Sequence, residues 1–284
     1  MDDHFKYCAA LVRESNRDRY LATLFAPAEK RNALFALYAF DAEISRVRDL
    51  AREPMPGEIR LQWWREMLLG ERGASEAAGN PVAAAVMEGL AQQGLSSDLL
   101  VDLLEAHRFD LYDQPMSDLD ALRSYASRTA GAIFIFSAAV LAGKHDPATT
   151  ELFAAAGDAQ TLGSLLSLLP HHAARRQLYI PLEMLRQHQA EPEDVFARRV
   201  TPELRAVLAE LRLRARRCLA VVGAAGEGIP VTARPAFLAL APLRQWLLDM
   251  ERLDYDPFRP PHITPWQSQW RIWRAAKSFR RIGA

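Results

Sequence analysis

ALFALYAFDAEISRVRDL, residues 33–50, is apolar on two faces of one helix: Leu34, Leu37 and Tyr38 on the first, Ala36, Phe40, Ile44 and Val47 on the second. A helix that is apolar nearly all round lies inside a protein. With Pro27 ahead of it, the whole segment Ala28–Leu50 is expected to form one buried helix. Its polar residues Asp41, Ser45 and Asp49 recur every four positions and so share a face. Buried carboxylates are costly unless they are paired or hold a cation. Two readings follow. Either this face is a ligand site, or the helix end emerges into solvent with Asp41, Glu43 and Asp49 satisfied by Arg46 and Arg48.

The rest of the chain fits an all-α protein with one core. Of 284 residues, 50% are hydrophobic and 25% charged, a folded globular composition. The 35 basic and 35 acidic residues cancel, so no overall field draws the chain to nucleic acid. Cys8 and Cys218 stand far apart, outside any metal-ligand spacing, and read as buried, reduced thiols of a cytoplasmic protein. The opening MDDHFKYCAALVRES lacks the apolar centre of a secretory signal. The longest nearly apolar run, Ala130–Gly143, has 14 residues where a bilayer span needs about 20, and it reads as a core helix.

Helical period dominates, with no alternating strand pattern, and breakers divide the chain into roughly a dozen helices. Glu58–Leu69 carries Trp63 and Trp64. Ser117 with Asp120 forms a capping-box pattern ahead of Leu122 and Tyr125. Thr201-Pro202-Glu203 opens a stripe of Leu204, Val207, Leu208, Leu211, Ala215 and Cys218, and Thr264-Pro265 opens the last helix. Pro242 should kink or split the apolar stretch Phe237–Leu248. The Gly/Pro-rich pieces at 79–81, 226–230 and 257–261 are loop-sized and mark no linker, so a single domain spanning 1–284 is expected.

Two further segments carry candidate chemistry. AQTLGSLLSLLPHHAARRQLYIP, residues 159–181, presents the small residues Ala159, Gly163 and Ser167 on one face, suited to close helix contact. Pro170 is expected to end that helix and leave His171 and His172 in a solvated loop, since a zinc helix would need histidines at i and i+4. Arg175 and Arg176 either grip a phosphate or cap the helix end. WLLDMERLDYDPFRPP, residues 246–261, mixes acids with Arg252 and Arg259 and reads as a salt-bridged surface. Phosphate-binding glycine loops, a nucleophile elbow and HExxH are missing from the sequence.

Taken in order, RYLATLFAPAEKRNALFALYAF, DLDALRSYASRTAG, RRQLYIP and LLDMERLDYDPF resemble the squalene/phytoene synthase family over about Arg19–Phe258. The resemblance implies a single-domain, isoprenoid-synthase-type helical bundle. The family's enzymes condense two prenyl diphosphates head to head, using Mg²⁺ held by two facing acidic motifs. Aligned on YAF, the first motif here reads Ser45, Arg46 and then Asp49, leaving one carboxylate beside Arg46 and Arg48. Asp41 lies about 12 Å further back along the axis. Aligned on RRQLYIP, the second motif reads Leu168, His171 and His172 where the family has acids. In the YxxxAG-type block Tyr125 is kept, while Arg128 takes a place where many synthases have a second tyrosine.

The departures put Asp41, Ser45, Arg46, Asp49, Tyr125, Arg128, Gly163, Leu168, His171, His172, Arg175, Arg176 and Tyr179 in a relic pocket, with no catalytic or metal-binding role expected. EIRLQWWREML and PHHAARRQLYIP further resemble the family's non-catalytic branch, whose role is in assembling respiratory complex I. The partners implied are subunits or assembly intermediates of that complex, with no cofactor. The alternatives are an active prenyltransferase, which would need Mg²⁺, or a carrier of an isoprenoid or lipid in an apolar pocket.

The last segment, 264–284, is a basic, tryptophan-rich helix. Arg271, Arg274, Lys277, Arg280 and Arg281 come with no acid, and Trp266, Trp270 and Trp273 lie within about 60° on a helical wheel. Either it is an interfacial anchor on the inner face of a membrane, or it docks its tryptophans on the domain.

Overall fold

The computed structural model describes residues 3–51, 53–143, 149–225, 228–259 and 264–283. Of the loop residues named above, Gly226, Glu227, Pro260 and Pro261 lie outside the described residues. No strand occurs among the described residues. In chain order the helices are α1 (Asp3–Ser15), α2 (Arg17–Thr23), α3 (Ala28–Ser45), α4 (Val47–Leu50), α5 (Pro54–Leu68) and α6 (Ala74–Ala78). Next come α7 (Pro81–Gln93), α8 (Asp98–His107), α9 (Leu119–Ala126), α10 (Ala132–Ala142), α11 (Thr150–Ser167) and α12 (Leu169–Ala174). The series closes with α13 (Leu182–Gln187), α14 (Pro192–Phe196), α15 (Pro202–Ala224), α16 (Leu243–Asp249) and α17 (Pro265–Lys277).

The helices form two compact units, each built from three separated stretches: 1–112, 132–149 and 228–239 in the first, 113–131, 150–227 and 240–284 in the second. The chain passes between them repeatedly and without a change of composition, so nothing in the sequence marks the crossings.

In the first unit α3 is the central helix, with α1, α7 and α10 packed on it. Leu34, Leu37, Tyr38, Ala36, Phe40 and Ile44 are all buried, so both apolar faces are covered as their pattern requires. Full burial of each large side chain is worth roughly 1.5–3 kcal/mol. Phe40 meets Trp64 of α5 edge-on at 4.9 Å, and Phe134 of α10 stacks on Phe237 at 5.4 Å. Asn80 caps α7 by accepting from Val82 and Ala83, and Gly94 closes it with φ +61°, where a side chain would be strained.

The expected helix 28–50 is broken. It stops at Ser45, and Arg46 (φ −98°, ψ 0°) bends the chain before α4, its carbonyl accepting from both Asp49 and Leu50. The bend falls where exposed Ser45 and Arg46 interrupt the buried residues Ile44 and Val47.

In the second unit α15 lies along α11. Thr201 caps α15 by accepting from Leu204 at 3.1 Å, and the stripe from Leu204 to Ala215 is buried as expected, with Cys218 only half-buried. The capping expected of Ser117 and Asp120 shifts by one residue: Asp118 accepts from Ala121 at 2.8 Å, and Ser117 donates to Asp118. Pro242 does divide its segment, with 3₁₀ turns at Val231–Leu240 before it and α16 after it. The 246–261 stretch is salt-bridged as expected, with Arg252 on Asp254 at 3.1 Å and Glu251 on Arg216 at 2.6 Å.

One π-helical turn, Ser127–Gly131, joins α9 to α10, so the apolar run expected from Ala130 belongs to a longer helix, Leu119–Ala142. Its 24 residues include an 18-residue window of mean hydropathy 1.4 that would suit a membrane span, but 61% of that window is buried inside the protein, the mark of a core helix.

Candidate functional site

The first motif turn sits at the end of α3. Asp41 is not satisfied by the neighbouring Arg46 or Arg48. It pairs with Arg19 of α2, and both side chains are nearly buried. The Arg19 guanidinium also lies 5.1 Å over the Tyr38 ring. Burial opposes its charge, but Asp41 and Tyr38 outweigh that and hold it above its ordinary pKa. Burial likewise raises the Tyr38 hydroxyl, although Ser137 and Arg19 pull it down. Glu43 pairs with Arg60 of α5 at 3.5 Å rather than with Arg46 or Arg48, and burial raises its carboxyl. Ser45, Arg46 and Asp49 are exposed, and Arg48 donates to the Ala51 carbonyl at 3.1 Å.

Near this network lies a second buried pair, His107 with Asp110 at 2.6 Å. Burial alone would lower the His107 pKa, but Asp110, with a contribution from Asp41, raises it. Arg19 gave no signal in the sequence, since its partner is 22 residues away. His107 and Asp110 did give one, being acid and base three apart at a helix end.

Beside the turn, Val47, Leu50, Ala51, Pro56, Ile59 and Trp63 line an open groove of about 440 Å³. Leu50, Met55 and Ile59 are 59%, 68% and 64% exposed, a dense apolar surface for a single α4–α5 corner.

The second motif turn lies between α11 and α12. Leu168 forms the break and is 47% exposed. Pro170 starts α12 as well as ending α11, so His171 and His172 sit on a short helix and not in the expected loop. His171 is exposed. His172 is half-buried, with its ring 4.7 Å from that of Tyr179. The Tyr125 ring of α9 lies 5.9 Å from that of Tyr179, and Gln177, buried, donates to the Tyr179 hydroxyl at 2.8 Å. The RRQLYIP segment is pinned by backbone bonds from Met116 N–H to the Leu178 carbonyl and from Leu182 N–H to the Met116 carbonyl, both 2.9 Å.

Tyr125, His172 and Tyr179 are therefore brought together, while Arg128 stands exposed on the π turn. Gly163 is a packing position, since a Cβ there would meet Leu243 at 2.5 Å. Arg175 is the residue at which α12 ends, its backbone N–H donating to the His172 and Ala173 carbonyls. Arg176, at φ +54°, pairs with Glu193 at 3.1 Å and stacks over Phe196 at 4.5 Å.

The Mg²⁺ that the family resemblance implies does not fit these residues. Asp41 is committed to Arg19, the second turn offers a leucine and two histidines, and no group of three His, Cys, Asp or Glu among the described residues is placed to hold an ion. Elsewhere in the second unit, Leu122, Ala126, Leu162, Cys218, Asp158 and Arg214 are among the residues that line a cavity of about 160 Å³.

The helical architecture is that of an isoprenoid-synthase-type protein. The squalene/phytoene synthase profile matches residues 12–274, and the chain belongs to that family. It is 28% identical to NADH dehydrogenase (ubiquinone) complex I, assembly factor 6, of Homo sapiens, over 91% of this chain and 76% of that one. It is 29% identical to a phytoene synthase of Thermus thermophilus, over 94% and 90%. The match to the assembly factor is the stronger although the identities are nearly equal. Among solved structures, squalene synthase HpnC from Alicyclobacillus acidocaldarius shares the fold, with a TM-score of 0.74, 23% identity and coverage of 90% and 95%.

Proposed function

We propose that this chain is a non-catalytic member of its family that assists assembly of the respiratory NADH:ubiquinone oxidoreductase. The observation that carries the reading is the side-chain chemistry of the two motif turns. A departing diphosphate builds negative charge that a hard cation must neutralise, and Mg²⁺ takes carboxylate oxygens. The first turn keeps one exposed carboxylate, Asp49, near Arg46 and Arg48, and the second keeps none. The likeness to the human assembly factor supports the same conclusion. The apolar groove at Leu50, Ile59 and Trp63 supplies a surface on which a partner protein can seat. The small apolar cavity in the second unit, about 160 Å³, falls below the roughly 300 Å³ at which small-molecule pockets begin, which disfavours it as a prenyl carrier site.

Two measurements test this. Purified protein incubated with farnesyl or geranylgeranyl diphosphate and Mg²⁺ should release no diphosphate above a protein-free control. Turnover that disappears in Asp49→Ala would overturn the non-catalytic reading. Deleting the gene in the source organism should lower NADH:ubiquinone oxidoreductase activity in its membranes and spare succinate-linked respiration. Both the unaltered chain and Asp49→Ala should restore it, and a deletion without effect would sink the assembly role.

A further inference from the structure

Helix α17 is amphipathic in a sense opposite to a helix that docks its aromatic side chains. At 100° per residue, Ser268, Ile272 and Ala275 share one face. They are 7%, 0% and 1% exposed, and Phe279 and Ile282 of the following 3₁₀ turn are buried with them. Trp266, Trp270 and Trp273 stand on the other side, 67%, 48% and 45% exposed, with Lys277 in line. The expectation that the tryptophans dock on the domain therefore fails. The aliphatic residue Ile272 holds the helix down and the indoles are left outside. Cations lie along them, with Arg274 4.4 Å over the Trp270 ring and Lys277 3.9 Å over that of Trp273.

Next to this face is a polar cavity of about 170 Å³ lined by Arg244, Arg271, Arg274, Arg281, Gln245 and Trp270. Arg271 donates to Gln245 at 2.9 Å. Among the described residues no carboxylate pairs with Arg244, Arg274 or Arg281. Guanidinium groups gathered without an acid repel one another, and an anion with several oxygens relieves that repulsion. The planar fork of arginine suits phosphate above other anions.

We propose that this face of the second unit binds an anionic phospholipid bilayer, with Trp266, Trp270 and Trp273 in the interfacial layer and the arginine cavity holding a headgroup phosphate. Indoles favour the headgroup region because each ring is apolar with one polar N–H, and nearby basic side chains add attraction to anionic lipid. Beyond Pro265 at its start, the exposed residues of α17 are the three indoles, Gln269 and Lys277, with no Leu, Ile or Val, which fits a wet headgroup layer better than a dry protein interface. Residues 264–284 carry five cations and no acid, while the chain as a whole has equal numbers of basic and acidic residues. The proposal stands apart from the assembly reading, and its failure would leave that reading intact.

The test is co-sedimentation of the full chain with phosphatidylcholine vesicles, with and without phosphatidylglycerol. Binding is expected only with the anionic lipid and should weaken as salt is raised. Arg274→Gln with Arg281→Gln should weaken it about fivefold per arginine, roughly 25-fold together. Trp266→Ala with Trp270→Ala and Trp273→Ala should abolish it, while Arg13→Gln with Arg17→Gln, equal in charge but in the first unit, should leave it unchanged. Circular dichroism checks that each variant is folded. The proposal is overturned by absent vesicle binding, by binding that survives both altered sets, or by an equal loss in the Arg13/Arg17 control. Saturable binding of inorganic phosphate without vesicle binding overturns it too.

Discussion

Asp41 looks like a relic ligand in the sequence, yet its carboxylate is a structural partner of Arg19. Breaking a nearly buried pair strands the other charge, so Asp41→Asn should destabilise the fold by about 3 kcal/mol. Arg19→Met with Asp41→Leu should recover most of that loss, because it removes both desolvation costs together. Chemical denaturation of the three proteins measures the difference. His107 makes a pH-dependent contribution. Its folded-state pKa lies above the unfolded value of 6.5, so proton uptake favours the fold. That stabilisation is complete below 6.5 and is lost as pH rises through the folded value. Unfolding free energy followed upward from pH 6.5 should fall in the natural chain and flatten in His107→Gln. Burial pushes the Cys8 thiol up to about 12 and the Cys218 thiol up to about 11, so both should react slowly with thiol reagents at neutral pH until the protein unfolds.

Between elements, close approach depends on what faces each glycine. A Cβ at Gly157 of α11 would meet the Gly131 Cα and N at 2.9 Å and the Ala126 carbonyl at 3.1 Å. All of these are backbone atoms that cannot swing aside, and Gly157→Ala should cost about 2 kcal/mol. Gly163→Ala meets the flexible end of Leu243, and with the helix-propensity gain of alanine its cost should be below about 1 kcal/mol. Thermal or urea unfolding ranks the two. At the α4–α5 corner, Ile59 is 64% exposed, so Ile59→Asp should change stability by less than about 0.5 kcal/mol. The same change should reduce recovery of oxidoreductase subunits in a pull-down from membranes. Undiminished recovery would remove the groove from the assembly reading.

For the whole molecule, the two motif turns belong to different units, each deficient in its own way. Restoring acids to one turn, as in Ser45→Asp with Arg46→Asp, should therefore yield no diphosphate release, since Leu168, His171 and His172 remain. The helical class, the central position of α3, the Thr201 cap and the lost acids were legible in the sequence. Each rests on helical period or on the identity of a residue at a turn, and both are local. The partner of Asp41, the bend at Arg46, the packing of His172 on Tyr179 and the outward tryptophans of α17 were not legible. Each depends on which helix covers which face. Residues 266–273 could turn either their indoles or Ile272 inward, and only the surface against which α17 packs selects between them.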